Sequence, residues 1–528
     1  MKTVLFGLDG ATYTVLDHLV AEGAMPNLGA MYKRGARAVL GSTPLPLTPL
    51  AWTTLATGRG AGHHGISDWI RCKVGEEGTF IHLFNSRDNH CETIWKRVSD
   101  SGKRVTVLNY FGLAPPRPIN GHSMPGFTSG RHLRRSSYPA DLFKRLEAVD
   151  GFDVKVLGMD FDIETQGLQE MEHDAWFDWI EHQIQRDAIW LHVLEYLMAN
   201  EPSDLTAIVL DGVDKLQHLA YRFLDPALVP KEPTAWEEKV ISLCHKYFHM
   251  VDEALGRVQT LVGSWGRLFV VSDHGFTGTQ EIVYINRWLH DEGLLTWRGE
   301  VPEDQAEACQ TDRPAQDANL VDLGASKAFA LTPSSNGIFI NVPEDEYASF
   351  RDDLIARLQQ LTGPDGGKII IDIKRRDEWF PGPFMEQFPD LTLTLRDYGF
   401  ISVLNGRAAV VPRSVPNGTH HPEGILIASG PGIKSGQSVG ASNLLDIAPL
   451  LTHSLGMEIP ADYEGQVPTD LYEPDYLTSD PPRLVAVNDA KTATASDDAP
   501  VATNGDGDLD EEDEAIILAR LKSLGYIE

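Results

Sequence analysis

Carboxylate and imidazole side chains occur in this sequence at spacings that could hold divalent cations. Two of them, Asp214 and His218, are four residues apart, so on a helical turn they share one face. Carboxylates mixed with imidazoles suit zinc or another borderline divalent ion. Taken singly, each pair is better explained by solvated side chains, but six ligands are enough for two ions. The candidates are Asp9, Asp214, His218, Asp273, His274 and His420.

A hydroxyl stands at the predicted start of a helix in the uncharged stretch 47–58. Thr48 suits the N-cap, Pro49 the first helical position and Gly58 the C-terminal end. The free N–H groups and the dipole of a helix N-terminus favour a bound anion. Thr48 is therefore either a capping residue alone or a capping residue that also faces an anionic substrate.

Three short apolar strands are each predicted to end close to an aspartate. Thr3–Leu8 is followed by Asp9, Leu205–Leu210 by Asp211 and Asp214, and Arg267–Ser272 by Asp273. Strands that alternate with helical patterns predict an α/β fold, with a doubly wound and mostly parallel sheet flanked by helices. The carboxyl ends of such strands meet at one edge, where ligands bind. Three independent turn aspartates are the alternative explanation.

Composition and pattern divide the chain into three predicted parts. Residues 1–478 form the main domain, with irregular cap insertions at about 110–200 and 283–400, the first of which is expected to roof the site. Residues 479–509 are rich in small and polar residues and form a disordered acidic linker. Residues 510–528 form a C-terminal helix, expected to dock on the chain itself or on a partner. The segment 415–424 is predicted to be a loop.

The overall charge limits the partners. With 528 residues and a net charge of −31, the chain is not expected to bind a nucleic-acid backbone, although a bound metal could still attract a small phosphorylated substrate. No stretch is long and apolar enough to span a membrane, and the N-terminus does not resemble a signal peptide. The four cysteines form no C-x-x-C pair, which suits a reducing compartment, so we predict a cytoplasmic protein.

The order of the motifs resembles that of a known family. The sequence resembles the alkaline phosphatase superfamily in its type I phosphodiesterase/nucleotide pyrophosphatase branch, and within it a group of predicted phosphohydrolase/phosphomutase proteins. The motifs are Gly7–Ala11, Met25–Leu28, Thr48–Gly58, His64–Ile66, Asp211–Asp214 with His218, Ser272–Phe276, Gly418–Gly424 and Leu445–Pro449. They extend over roughly residues 1–470.

The resemblance implies an alkaline phosphatase-like fold and assigns roles to individual residues. Thr48 would be the nucleophile and would carry a covalent phospho-threonine intermediate. The cofactors would be two divalent metal ions, Zn²⁺ or alternatively Mn²⁺. One ion would be held by Asp9, Thr48, Asp273 and His274, and the other by Asp214, His218 and His420.

One departure from the family pattern concerns substrate binding. In the nucleotide pyrophosphatases an asparagine three residues after the nucleophile binds a phosphoryl oxygen, whereas Ala51 occupies that position here. Lys215, Asn109 and Arg59 are the candidate substitutes, with a solvated or structural role as the alternative for Lys215. His63, His64 and His421 are expected to be neighbours rather than ligands.

The predicted function is therefore hydrolysis of a phosphate monoester or diester, nucleotide-like esters included, by a two-metal enzyme. A phosphonate hydrolase or a phosphomutase of the same superfamily is the alternative within enzymes. A non-catalytic metal-binding scaffold that recruits a partner through its C-terminal helix is the alternative of another class. The sequence leaves the oligomeric state open.

Overall fold

The computed structural model describes residues 2–75, 78–158, 173–301, 320–486 and 517–518. Its centre is a nine-stranded sheet. Parallel pairing joins Thr3–Leu8 to both Leu205–Leu210 and Arg267–Val271. The strand order is Gln437–Ser438, Ala36–Gly41, Glu423–Ser429, Arg267–Val271, Thr3–Leu8, Leu205–Leu210, Val105–Tyr110 and Gly121–Pro125, with Ser442–Asn443 also paired to Ala36–Gly41. The predicted fold class is confirmed.

The central strands are apolar because both faces of the sheet are covered. Along Thr3–Leu8 the side chains of Val4 and Phe6 belong to one hydrophobic cluster and that of Leu5 to the other. Only Glu423–Ser429 runs antiparallel to its neighbours in the middle of the sheet. The helices over the first face are Tyr13–Ala21, Pro26–Arg34, His173–Asn200, Gly212–Ala220 and Ala235–Val262; those over the second are Thr48–Thr57, Ile94–Asp100 and Ile447–Ser454.

The segment from about 110 to 200, predicted to be a cap insertion, contributes to the main layers in two places. Gly121–Pro125 pairs in parallel with Val105–Tyr110 as the last strand of the sheet. The helix His173–Asn200 packs against the helix Ala235–Val262 and the strands beneath it. These two elements therefore flank and extend the sheet. Between them lie the short helices Gly130–Ser136, Leu142–Leu146 and Val154–Leu157.

The second predicted insertion, 283–400, has its own hydrophobic cluster. Four strands form an antiparallel sheet in the order Ala328–Phe329, Gly337–Ile340, Leu391–Leu395 and Ile370–Arg375. The helices Ile285–Asp291, Glu344–Leu358 and Arg376–Trp379 and the 3₁₀ turn Met385–Gln387 accompany these strands.

The prediction of a loop at 415–424 is wrong for most of that segment. Val410–His421 is a strand that pairs antiparallel with Gly275–Tyr284, and Ile401–Ser402 completes this three-stranded sheet. Proline and glycine at 416 and 418 suggest a turn locally. The register irregularity between Pro412 and Asn417 accommodates Pro416 within the strand, and Gly418 is paired with Gly278.

Smaller elements connect these layers. They are the helices Ala61–His64 and Pro474–Ser479, the hairpin Ile70–Gly75 with Gly78–Leu83, the 3₁₀ turns Tyr221–Phe223, Leu444–Asp446 and Thr469–Leu471, and the strand pair Ile459–Pro460 with Leu484–Val485. That last pair extends ordered structure beyond residue 479, where the linker was predicted to begin.

Most of the predicted linker and C-terminal helix lies outside the described residues. Ile517 and Leu518 are described, and both pack against an apolar cluster that contains Leu47, Leu50 and Trp69. Among the described residues, no helix has the length and the apolar character needed to cross a bilayer.

Candidate metal centre

Thr48 begins a helix that is enclosed on all sides. All ten residues of Thr48–Thr57 are buried, which suits its uncharged sequence. Leu47 occupies the N-cap position and Thr48 the first helical position, so the helix begins one residue earlier than predicted and the Thr48 hydroxyl does not cap it. Gly58 ends the helix with a left-handed φ of 63°. The Thr48 hydroxyl is thus available for other contacts.

The first cluster of ligand-type side chains contains Asp9, Asp273 and His274, all buried. The Nε2 atom of His274 lies 3.6 Å from Asp9 Oδ1 and 3.3 Å from Asp273 Oδ2. The Thr48 hydroxyl lies 3.4 Å from the same Nε2 atom. Two adjacent parallel strands end here, Thr3–Leu8 before Asp9 and Arg267–Val271 before Asp273, as the strand pattern predicted.

The second cluster contains Asp214, His218 and His420. Asp214 and His218 share one face of the helix Gly212–Ala220, with His218 Nε2 3.4 Å from Asp214 Oδ1. His420 comes from the strand Val410–His421 and places its Nε2 atom 3.2 Å from the same oxygen. The two imidazole Nε2 atoms are 3.0 Å apart. Residues 202 positions apart in sequence therefore meet at one point.

The two clusters lie side by side. The rings of His274 and His420 stack with their centroids 3.6 Å apart. His274 Nδ1 lies 3.0 Å from the Gly275 carbonyl oxygen and His420 Nδ1 lies 2.6 Å from the Pro46 carbonyl oxygen. A carbonyl can only accept a hydrogen bond, so each Nδ1 carries the proton and donates it. Both Nε2 lone pairs therefore face the clusters, as metal-ligating histidines require.

Burial and charge shape the protonation of these groups. Burial raises the pKa of Asp9 and of Asp273, and the neighbouring Asp273 carboxyl raises that of Asp9 further. Burial lowers the pKa of His274 and of His420, which favours neutral imidazoles. Burial alone would raise the pKa of Asp214, but the adjacent histidines hold it well below its usual range. In the first cluster burial thus disfavours the charged carboxylates, and a bound cation would lower both pKa values again by stabilising the charged forms.

The residues fit divalent cations in the chemistry of their side chains and because several buried carboxylate oxygens lack a hydrogen-bond donor. Among the described residues, Asp9 Oδ1, Asp214 Oδ1 and Asp273 Oδ2 are buried carboxylate oxygens that accept no hydrogen bond of good geometry. Leaving a charged oxygen buried and unpaired costs several kcal/mol or more, so such atoms need a partner. In each cluster the ligand atoms lie within 4.8 Å of one another. This spacing suits one ion per cluster.

The three predicted substrate-binding residues have polar partners away from the Thr48 hydroxyl. Lys215 and Asn109 are both 0% exposed, and both contact Asp211 in the interior. Arg59 follows the far end of the Thr48 helix, about 15 Å along its axis. Its guanidinium group pairs with Asp462 and Glu464.

The three histidines predicted to be neighbours also lie outside the two clusters. His64 is buried and its Nε2 atom lies 3.1 Å from the Thr54 hydroxyl, and His63 pairs with Glu464. The His421 ring contacts Tyr398.

Supporting contacts within the centre were missed at the sequence level. The indole N–H of Trp52 donates to Asp9 Oδ2 at 3.3 Å, and the backbone N–H of Gly10 donates to Asp273 Oδ1 at 3.1 Å. Trp52 is four residues after Thr48, one helical turn away, and this spacing was a usable signal. The Gln217 amide also donates to the Gly10 carbonyl at 2.8 Å and ties the two clusters together, which no local pattern indicates.

Comparison with known proteins agrees with this arrangement. Residues 3–422 match the family described as type I phosphodiesterase/nucleotide pyrophosphatase. The chain belongs to this family. The predicted resemblance is thereby confirmed, and the phosphodiesterase match includes all seven residues assigned by motif to the two ions. A comparison with curated proteins found no match.

Solved structures similar to this phosphodiesterase-family chain share its fold. A phosphonoacetate hydrolase from Sinorhizobium meliloti 1021 in complex with phosphonoformate aligns with a TM-score of 0.52 at 14% identity, over 86% of this chain and 95% of that chain. The murine ectonucleotide pyrophosphatase/phosphodiesterase 5, in an inactive form in complex with AMP, aligns with a TM-score of 0.51 at 15% identity, over 90% of this chain and 100% of that chain. At these identities the likeness concerns the fold alone.

Proposed function

We propose that this protein is a two-metal phosphohydrolase that cleaves a phosphate monoester or diester through Thr48. The observation that carries the proposal is the Thr48 hydroxyl, 3.4 Å from His274 Nε2 and beside two carboxylate–histidine clusters. Family membership supports a hydrolase of phosphoric esters. Zn²⁺ is the proposed ion because mixed imidazole and carboxylate ligands suit it, and Mn²⁺ is the alternative.

The proposed ligand sets follow the two clusters. One ion would be held by Asp9, Asp273, His274 and the Thr48 hydroxyl. The other would be held by Asp214, His218 and His420. Two such ions, when bound, supply Lewis-acid charge that stabilises the phosphoryl oxygens and lowers the pKa of coordinated hydroxyls.

Thr48 acts as the nucleophile in this proposal. Its position in the first turn of a helix directs N–H groups and the positive end of the dipole toward a bound phosphate. The Thr48 oxygen bonds to phosphorus while the bond from phosphorus to the leaving oxygen breaks, and the proton lost by Thr48 balances the proton gained by the leaving alcohol. The product is a phosphorylated threonine. Water then attacks phosphorus, the bond to the Thr48 oxygen breaks and Thr48 regains a proton, which releases phosphate from a monoester substrate or a phosphate monoester from a diester substrate.

The substrate is proposed to be a small phosphorylated molecule, nucleotide-like molecules included, in a cytoplasmic setting. Ala51 is fully buried and offers no side-chain donor, so backbone groups near Thr48 would contact the phosphoryl oxygens. Cys91 and Cys244 are free thiols, which is compatible with a reducing compartment. The charge of −31 favours a small ligand drawn in at the metal centre over an extended polyanion.

Substitution of Thr48, the proposed nucleophile, tests the proposal. We expect Thr48→Ala to abolish turnover of p-nitrophenyl phosphate and of bis-p-nitrophenyl phosphate, with metal content still near two ions per chain by elemental analysis. Thr48→Ser, which keeps a hydroxyl, is the matched control and should retain measurable turnover. Parental activity in Thr48→Ala would disprove the proposal.

The same assay separates the substrate classes. Phosphonoacetate and sugar phosphates extend the panel, because turnover of a C–P bond or transfer within a sugar phosphate would identify the phosphonate hydrolase or phosphomutase alternative. A purified parent chain that holds metal but has no activity on the whole panel would favour the metal-binding scaffold alternative.

A further inference from the structure

Four charged side chains are buried together beneath the second metal cluster. Arg186 and Asp187 lie on the helix His173–Asn200, while Asp211 and Lys215 lie at the start of the helix Gly212–Ala220. Each is at most 1% exposed. The two positive and two negative charges balance. Because burying ions costs several kcal/mol each, such a group persists only with close pairing.

Asp187 holds the first turn of the ligand-bearing helix. Its Oδ2 atom accepts a hydrogen bond from the backbone N–H of Gly212 at 3.2 Å and from the Tyr247 hydroxyl at 2.6 Å. A Cβ at Gly212 would lie 2.5 Å from that oxygen, so the close approach requires glycine. The carboxylate also complements the positive end of this helix dipole.

Asp211, the residue before this helix, is held from the same side. Arg186 Nη1 donates to Asp211 Oδ1 at 2.6 Å and to Asp187 Oδ1 at 3.2 Å, so one guanidinium group bridges the two carboxylates. The amide of Asn109 donates to Asp211 Oδ1 at 2.9 Å. Lys215 Nζ lies 3.6 Å from Asp211 Oδ2. The N-terminus of the helix is thereby fixed in position and in rotation.

The helix so fixed carries Asp214 and His218. Asp214 lies two residues after Gly212, within the turn that Asp187 anchors. A small rotation of this turn would move Asp214 Oδ1 away from His420, which lies on the strand Val410–His421 of the three-stranded sheet. The first cluster is attached to other strands and does not depend on this helix for its ligands.

We propose that Arg186 and Asp187 are positioning residues for the second metal site, because they lie against the start of the helix that carries Asp214 and His218. This inference rests on the proposed function, since it assumes that the second cluster binds an ion. Neither residue contacts the substrate or the ion in this proposal. Their effect is on the geometry and the affinity of one site of the two.

Asp252 offers a matched control elsewhere in the fold. Asp252 is fully buried on the helix Ala235–Val262 and accepts hydrogen bonds from the backbone N–H groups of Asn27 and Leu28 at 2.9 and 2.8 Å. It therefore anchors the start of the helix Pro26–Arg34 in the way that Asp187 anchors the other helix. The helix Pro26–Arg34 carries none of the seven proposed metal ligands.

The experiment compares the full chain with its variants Asp187→Ala, Asp187→Asn and Asp252→Ala. Each is stripped of metal and titrated with Co²⁺, with affinity measured by calorimetry, ligand geometry by visible absorption and stability by thermal melting. Asp187→Ala should weaken one of two binding events by about tenfold, at the lower end of the range for outer-shell partners, and change its absorption spectrum. Asp187→Asn keeps an acceptor oxygen, so its Co²⁺ affinity at that site should lie between the affinities of Asp187→Ala and the parent.

Asp252→Ala should lower the melting temperature and leave both binding events and both spectra unchanged. Equal Co²⁺ binding in Asp187→Ala and the parent would overturn the positioning role, as would an equal loss of binding in Asp252→Ala. If Asp187→Ala does not fold, the Asp187→Asn variant decides by the same criterion. A parent chain that binds fewer than two Co²⁺ ions would overturn the proposed function itself, and the positioning role with it.

Discussion

Replacing His64 should change how the stability of this protein depends on pH. His64 is fully buried, its Nδ1 accepts a hydrogen bond from the backbone N–H of Ile66 at 3.1 Å, and its Nε2 faces the Thr54 hydroxyl at 3.1 Å. Nδ1 is therefore the unprotonated nitrogen. A second proton there would break the bond to Ile66 and place a charge in the core. Burial, with smaller contributions from His63 and His90, lowers the pKa of His64 to about 3.

The sign and size of the effect follow from linkage. In the unfolded chain the imidazole takes up a proton below pH 6.5, while in the folded chain it stays neutral until about pH 3. The unfolded state therefore binds more protons in this window, and the free energy of unfolding falls as the pH falls. The full shift corresponds to about 5 kcal/mol, of which about 2.5 kcal/mol is lost between pH 6 and pH 4.

Urea unfolding of the metal-free protein at pH 6, 5 and 4 tests this reasoning. His64→Asn should be less stable than the parent at pH 6 but should lack the 2.5 kcal/mol decrease attributed to this imidazole. Thr54→Val removes the hydroxyl partner without removing a titrating group, so it should be less stable while keeping the parental pH dependence. The same pH dependence in His64→Asn and the parent would refute the reasoning.

Three further substitutions test other parts of the structure. Gly58→Ala should lower the melting temperature by a few degrees in calorimetry, because φ of 63° costs about 1–2 kcal/mol for a residue with a Cβ and that atom would lie 2.9 Å from the Tyr463 ring. Trp52→Phe removes the N–H donated to Asp9 and should weaken ion binding at the first cluster about tenfold by calorimetry, with the second cluster unchanged. Ile517→Asp places a charge in the apolar cluster and should speed proteolytic removal of the C-terminal segment while the melting temperature of the rest stays constant.

The strands that position the site were predictable because their signal is local. Thr3–Leu8 and Leu205–Leu210 have the predicted bounds, and Arg267–Val271 ends one residue early. A short apolar run followed by aspartate and glycine contains the strand, its end and the ligand-type side chain together. Parallel pairing then brings the strand ends to one edge whatever the rest of the chain does.

The substrate-binding candidates show what residue type alone leaves open. Lys215 is adjacent to Asp214, but consecutive helical residues point about 100° apart, so Lys215 faces the interior while Asp214 faces the cluster. Asn109, near the end of a strand, also faces the interior. Its side-chain amide donates hydrogen bonds to the Val209 carbonyl and to Asp211. Residue type suggested a phosphate contact in both cases, and packing directed each side chain elsewhere.

The sequence by itself determined the chemistry available to this protein: the kinds of ligand, their order along the chain, and the placement of Asp9 and Asp273 at strand ends. Only the tertiary structure decided that a strand, and not a loop, brings His420 to Asp214. It also decided that backbone carbonyls of Pro46 and Gly275 turn both Nε2 lone pairs inward. The physical reason is that strand identity and end position depend on near neighbours, whereas the pairing of distant residues and the rotation of a ring depend on packing that no local window contains.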